Sequence, residues 1–127
     1  MIIDQTTKIF SDDLINPLTL ILGVTGLIFY VAGYIQFKYP TKKTNYFYGY
    51  RTKTSMRSQE VWNFSQTLSA KKIQQLGICL FFGGIFAYLI NIDPFFGMWT
   101  GISLVTVLPI LLIFKIEKEL KRRFPKT

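Results

Sequence analysis

The chain has 127 residues, half of them apolar, a net charge of +8, no histidine and a single cysteine, Cys79. One domain is the default at this length. The lone cysteine excludes an intrachain disulfide, and the missing histidines argue against structural zinc and His-activated nucleophiles. The apolar residues are clustered, and no charge interrupts residues 17–37, 73–92 or 94–114. A stretch of about 20 residues, at ~1.5 Å rise each, spans the ~30 Å hydrocarbon core of a bilayer. Inside lipid, a helix satisfies every backbone group within one short segment. The predicted fold class is therefore all-α: an integral membrane protein, a single domain over 1–127, with three transmembrane helices.

Asp12 and Asp13 precede the first stretch, where a secretory signal would carry positive charge, and no small-x-small cleavage pattern follows it. That stretch is expected to remain as the first transmembrane helix, 17–37. Tyr30, Tyr34, Phe37 and Tyr39 gather at its end as an aromatic belt. The connection 38–72 is too long to be structureless in a compact domain. It starts basic, in "KYPTKKT". Tyr46, Tyr48 and Tyr50 then alternate as in an extended segment, and Gly49 lets the backbone approach a neighbour. Ser58 is placed to cap a helix whose first turn holds Glu60. Val61, Phe64 and Leu68 recur at helical spacing, which predicts a short amphipathic interfacial helix before the second transmembrane helix, 73–92. The turn "NIDP", 91–94, forces an antiparallel hairpin. Pro94 suits the first turn of the third helix, 94–114, and Pro109 is expected to kink it. Gly23 and Gly26, Gly77, Gly83 and Gly84, and the G-x-x-x-G of Gly97 and Gly101 predict close helix packing, within the chain or in a homo-oligomer.

Fourteen of the fifteen lysines and arginines fall in 38–72 and in the tail 115–127, against Lys8 alone in the N-terminal arm. Cations in short flanking segments stay on the cytoplasmic side, which predicts an N-out, C-in topology with the 38–72 loop and the basic tail inside. The tail suits anionic lipid. No nucleic-acid motif accompanies it, so no direct nucleic-acid contact is expected. No Asp, Glu, Lys or Arg lies within the three apolar stretches, which disfavours a pump, a proton-coupled transporter or an intramembrane protease.

The stretch "NYFYGYRTKTSMRSQEVW", residues 45–62, carries Asn45, Gly49, Arg51, Thr52, Ser55, Ser58, Glu60 and Trp62 in order, between one transmembrane helix and a following hairpin. This resembles the signature of the SdpI family of small bacterial membrane immunity proteins. The resemblance covers the signature and the three-helix layout. It departs at Thr44, where many members have proline, and at Ser65-Gln66, where an Ala-Asn or Thr-His pair is common. The resemblance implies a bacterial cytoplasmic membrane protein that confers resistance to a membrane-active peptide toxin. The namesake also sequesters a transcriptional repressor at the membrane. Membrane lipids, a peptide toxin and a cytoplasmic repressor or other membrane protein are thus the expected partners, and no cofactor, metal or catalytic residue is expected.

The residues themselves admit more than one use. Arg51 suits bidentate capture of a phosphate or carboxylate, or an ion pair with Glu60 that fastens the loop. Asn45 and Thr52 suit closure of the turn around Gly49. Trp62 reads as an interface anchor or as the wall of a cleft. An enzyme acting on lipid would have Glu60 as its only acid in the segment, whereas acid–base chemistry usually needs a tuned pair. An accessory subunit of a larger membrane complex or transporter is the remaining class.

Overall fold

The computed structural model describes residues 16–41 and 49–125. Among them are three helices, α1 (Pro17–Lys38), α2 (Gln59–Tyr88) and α3 (Pro94–Arg123), and no strand. Each start has a local cause. The Asn16 side chain accepts from the Thr19 N–H at 2.7 Å, and Pro17 takes the first helical position. Asp93 and Pro94 repeat the pattern at α3, and the Ser58 hydroxyl caps α2 by accepting from the Val61 N–H. Asn16 also donates its side-chain amide to the Ala87 carbonyl at 3.0 Å, which ties the start of α1 to the end of α2.

α1 and α2 pack with their backbones touching. A Cβ on Gly26 would lie 2.6 Å from the Gly77 carbonyl oxygen, and one on Gly77 would lie 2.5 Å from the Tyr30 nitrogen. Any side chain at either position would push the helices apart. Gly97 and Gly101 face Leu18 and Ile21 of α1, so the G-x-x-x-G of α3 is used within the chain. Leu18, Leu22, Leu80 and Ala87 form one small core. Val61, Ile116 and Leu120 form a second, where the first turns of α2 meet the last turns of α3.

The interfacial helix expected over the Val61–Leu68 stretch is not separate. It is continuous with the second apolar stretch in a single helix of 30 residues, which ends at Tyr88 rather than at 92. No glycine or proline occurs between Gln59 and Leu76, so nothing interrupts the backbone ladder, and Lys71 and Lys72 interrupt hydropathy without interrupting the helix. α3 likewise continues past Phe114, through part of the tail, to Arg123.

The outer surface is strongly apolar: Leu89, Phe82, Phe86, Phe95, Phe96 and Phe114 are all more than 60% exposed. α1 and α3 are long and apolar enough to cross a membrane, each with a mean hydropathy of 2.0 over its most apolar window. α2 does not reach that level, because Lys71, Lys72, Gln74 and Gln75 stand in its middle.

Candidate functional site

The signature segment folds at the end of the bundle where α1 finishes and α2 begins, and its shape starts from Gly49. That residue has φ +95°, a left-handed conformation that L side chains rarely adopt. An added Cβ would also collide with the Gln66 side-chain oxygen. The turn thereby brings the Tyr50 backbone against Gln66 of α2. The Tyr50 N–H donates to Gln66 Oε1 at 2.7 Å, and Gln66 Nε2 donates to the Tyr50 carbonyl at 2.7 Å. One buried side-chain amide thus satisfies both backbone groups of one residue, as a neighbouring strand would. Gln36 of α1 reaches the same place, donating to Ser69 Oγ at 2.7 Å and to the Gln66 carbonyl at 3.2 Å.

After Tyr50 the chain closes a tight turn on itself. The Thr52 N–H donates to Ser55 Oγ at 2.8 Å, and the Ser55 N–H donates to Thr52 Oγ1 at 3.1 Å. The Ser55 hydroxyl, fully buried, is placed to donate to the carbonyls of Thr52 and Tyr50. These reciprocal bonds are the local alternative to helix that Ser and Thr offer. They hold the loop until the Ser58 cap begins α2.

The third helix supplies a further anchor. The Tyr50 hydroxyl donates to Glu117 Oε1 at 2.6 Å. Partial burial pushes the Glu117 carboxyl up, but hydrogen bonds from Thr52, Tyr50 and Thr54 and the nearby Lys121 outweigh it, so the group stays below the ordinary carboxylate value. Burial first, and then the Glu117 carboxylate, push the Tyr50 phenol well above its ordinary value. Glu117 lies three residues past the apolar stretch of α3, at the basic end. There Arg57 Nη2 donates to the Phe124 carbonyl, and the Arg123 guanidinium sits 4.4 Å from the centroid of the Phe64 ring.

The expected site residues divide into two groups. Gly49, Thr52, Ser55 and Ser58 build the turn and the cap. Trp62 is fully buried and donates its indole N–H to the Thr41 carbonyl at 3.1 Å, tying the chain beyond α1 to α2. Its burial leaves it out of reach of a membrane interface. Arg51 and Glu60 are both exposed and do not pair; the ion pair among the described residues is Arg122–Glu119, on the surface. Asn45, with Tyr46, Phe47 and Tyr48, lies outside the described residues. Among the described residues, no group of three or more His, Cys, Asp or Glu side chains is placed to hold a metal ion.

Gln36, Gln66 and Glu117 are the site residues that sequence reasoning missed. A signal for Gln66 existed. Ala70, Gly77 and Gly84 repeat at seven-residue spacing along α2, as Gly26 and Gly33 do along α1. Extending that small-residue stripe towards Ser58 places Gln66 beside it, on the face turned to α1.

A family model described as the SdpI/YfhL protein family matches residues 41–116. The match runs from the residue that receives the Trp62 indole N–H to Ile116, the residue before Glu117, and covers more than half of the chain. No curated protein and no solved structure matches the chain significantly.

Proposed function

The chain belongs to the SdpI/YfhL protein family, and from that premise we propose that it is a multi-pass protein of the bacterial cytoplasmic membrane that confers resistance to a membrane-active peptide toxin by binding at its basic, cytoplasmic end. The apolar half of α2, residues 73–88, crosses the membrane with α1 and α3. Its backbone contact with α1 and the exposure of Phe82, Phe86 and Tyr88 to the surroundings support that reading. The concentration of cations at one end of the bundle supports an N-out, C-in orientation.

One observation carries the binding role. The signature turn is held to α2 and α3 by hydrogen bonds from Tyr50, yet Arg51 stands exposed on it with no ion-pair partner among the described residues. A rigid mount under a free guanidinium suits recognition of a carboxylate or phosphate on a toxin or a cytoplasmic partner. Binding, rather than catalysis, is the chemistry that this arrangement favours, since Glu60 and Arg51 do not form a coupled pair.

The test is a survival assay. The chain is expressed in a sensitive bacterium and challenged with a panel of membrane-active peptides, beside an Arg51→Ala variant. Survival is expected to rise with the wild-type chain and to fall back with Arg51→Ala at an unchanged membrane level. No protection against any peptide, together with stoichiometric co-purification of another membrane protein, would replace this reading with that of an accessory subunit.

A further inference from the structure

Gln66 also lines a cavity of about 300 Å³, whose other walls among the described residues are Pro40, Thr41, Asn63 and Thr67. The Thr41 hydroxyl oxygen is buried there with no hydrogen-bond partner among the described residues, although the Thr41 carbonyl is engaged by Trp62. Buried polar groups are almost always paired, so an orphaned hydroxyl beside a cavity that Asn63, Gln66 and Thr67 also line marks a place for a guest with polar atoms. Asn63 and Thr67 stand one turn apart on α2. Asn63 Oδ1 accepts from Gln59, and the Thr67 hydroxyl donates to the Asn63 carbonyl. That leaves the Asn63 amide N–H groups and the Thr67 oxygen for a guest. Among the described residues, no titratable group lines the cavity. Two cations bracket it in sequence. Lys38, two residues before Pro40, holds its ammonium 5.7 Å from the Tyr39 ring centroid, and Lys71, one turn past Thr67, holds its own 5.9 Å from that of Phe37.

The height of the cavity along the bundle identifies the guest. Gln36 hydrogen-bonds to Gln66 and Ser69, so the last turn of the α1 apolar stretch is level with the cavity wall. The cavity therefore sits where the hydrocarbon ends, within a headgroup layer only ~5–7 Å deep on each side of a bilayer. We infer that it holds the headgroup of an anionic phospholipid. Thr41, Asn63 and Thr67 take the phosphate and glycerol oxygens, and Lys38 and Lys71 match the charge. This rests on the membrane-spanning reading above and is independent of toxin resistance.

The full chain is purified in detergent and placed in nanodiscs of phosphatidylglycerol and phosphatidylcholine in equal amounts, and retained lipid is read by native mass spectrometry. The wild-type chain is expected to retain phosphatidylglycerol about tenfold over phosphatidylcholine, the scale of one or two hydrogen-bonded partners. The double variant Thr41→Val, Thr67→Val, which keeps side-chain shape, is expected to lose that preference with an unchanged thermal transition. If the double variant does not fold, Asn63→Leu, at an exposed position, is expected to lose the preference in its place. Equal retention of the two lipids by the wild type, or an undiminished preference in the folded variants, would overturn the assignment. Displacement by free glycerol 3-phosphate would overturn it too, by giving the cavity to a soluble phosphoester. A chain that enters nanodiscs without lipid preference sinks only this proposal, whereas one that fails to enter them sinks the membrane reading as well.

Discussion

At the scale of single residues, Gln66 and Gly49 decide whether the signature segment has a shape. Gln66 is almost fully buried, and its amide answers both the N–H and the C=O of Tyr50. Gln66→Ala would leave two partly buried backbone groups unmet and is expected to cost about 1–3 kcal/mol in unfolding titrations in detergent. Gly49→Ala adds strain at φ +95° to a collision with Gln66, and a loss of about 1–3 kcal/mol is expected in the same measurement. Arg51→Ala serves as the contrast: Arg51 is exposed and has no ion-pair partner among the described residues, so the change should shift stability by no more than about 0.5 kcal/mol. Glu117 adds a pH dependence. Its folded-state carboxyl titrates below the ordinary 4.5, so its contribution is in place above that value and is lost as pH falls through the lower folded value. Unfolding measured from neutral pH down to below 4 should therefore steepen in that window for the wild-type chain and flatten for Glu117→Gln; an identical slope would refute the coupling. Sequence alone showed Gly49 and Thr52 as turn residues because each shapes the backbone within a few residues of itself, whereas Ser55 stood only as part of the signature. Gln66 and Glu117 act across 16 and 67 residues, and no local pattern encodes those pairings.

At the scale of elements, the helix starts were legible and the helix lengths were not. Asn16-Pro17, Ser58 and Asp93-Pro94 each combine a capping side chain with a residue suited to a first turn, and all three begin helices. Lengths were read from hydropathy, which reports where lipid ends rather than where a helix ends. Lys71 and Lys72 therefore looked like a boundary, although lysine is a good helix former and nothing near it breaks the ladder. A substitution at that point separates the two descriptions. Ala70→Pro falls on a fully buried residue in the middle of α2 and removes a helical hydrogen bond. A loss of about 3 kcal/mol or more is expected, with reduced helical signal by circular dichroism. A flexible joint between two short helices would accept the same proline with little change, and that outcome would contradict a continuous α2.

At the scale of the whole molecule, the packing and the charges describe one asymmetric object. Among the described residues, the end where α2 meets α3 carries no cation, and its surface residues Leu89, Phe95 and Phe96 are apolar. At the opposite end α2 and α3 run past the apolar stretches and close a second core around Val61, Ile116 and Leu120, beside the signature turn and the exposed Lys118, Lys121, Arg122 and Arg123. A charged extension with its own core cannot be drawn into lipid without stripping water from its cations, at a cost of about 2.5–3.5 kcal/mol for each one placed at the centre of a bilayer. That cost keeps the charged end out of the lipid, and the proposed three-span reading puts the two ends on opposite sides of the membrane. Which side each occupies is accessible through cysteine. Cys79 is removed as Cys79→Ser, and a single cysteine is then introduced by Lys53→Cys in the signature turn or by Asn91→Cys in the α2–α3 connection. In intact cells a membrane-impermeant maleimide is expected to modify the Asn91→Cys chain, and the Lys53→Cys chain only after permeabilisation. The reverse pattern would put Arg51 outside the cell and remove any cytoplasmic partner from its reach, whereas labelling of both in intact cells would mean that α2 does not cross the membrane at all.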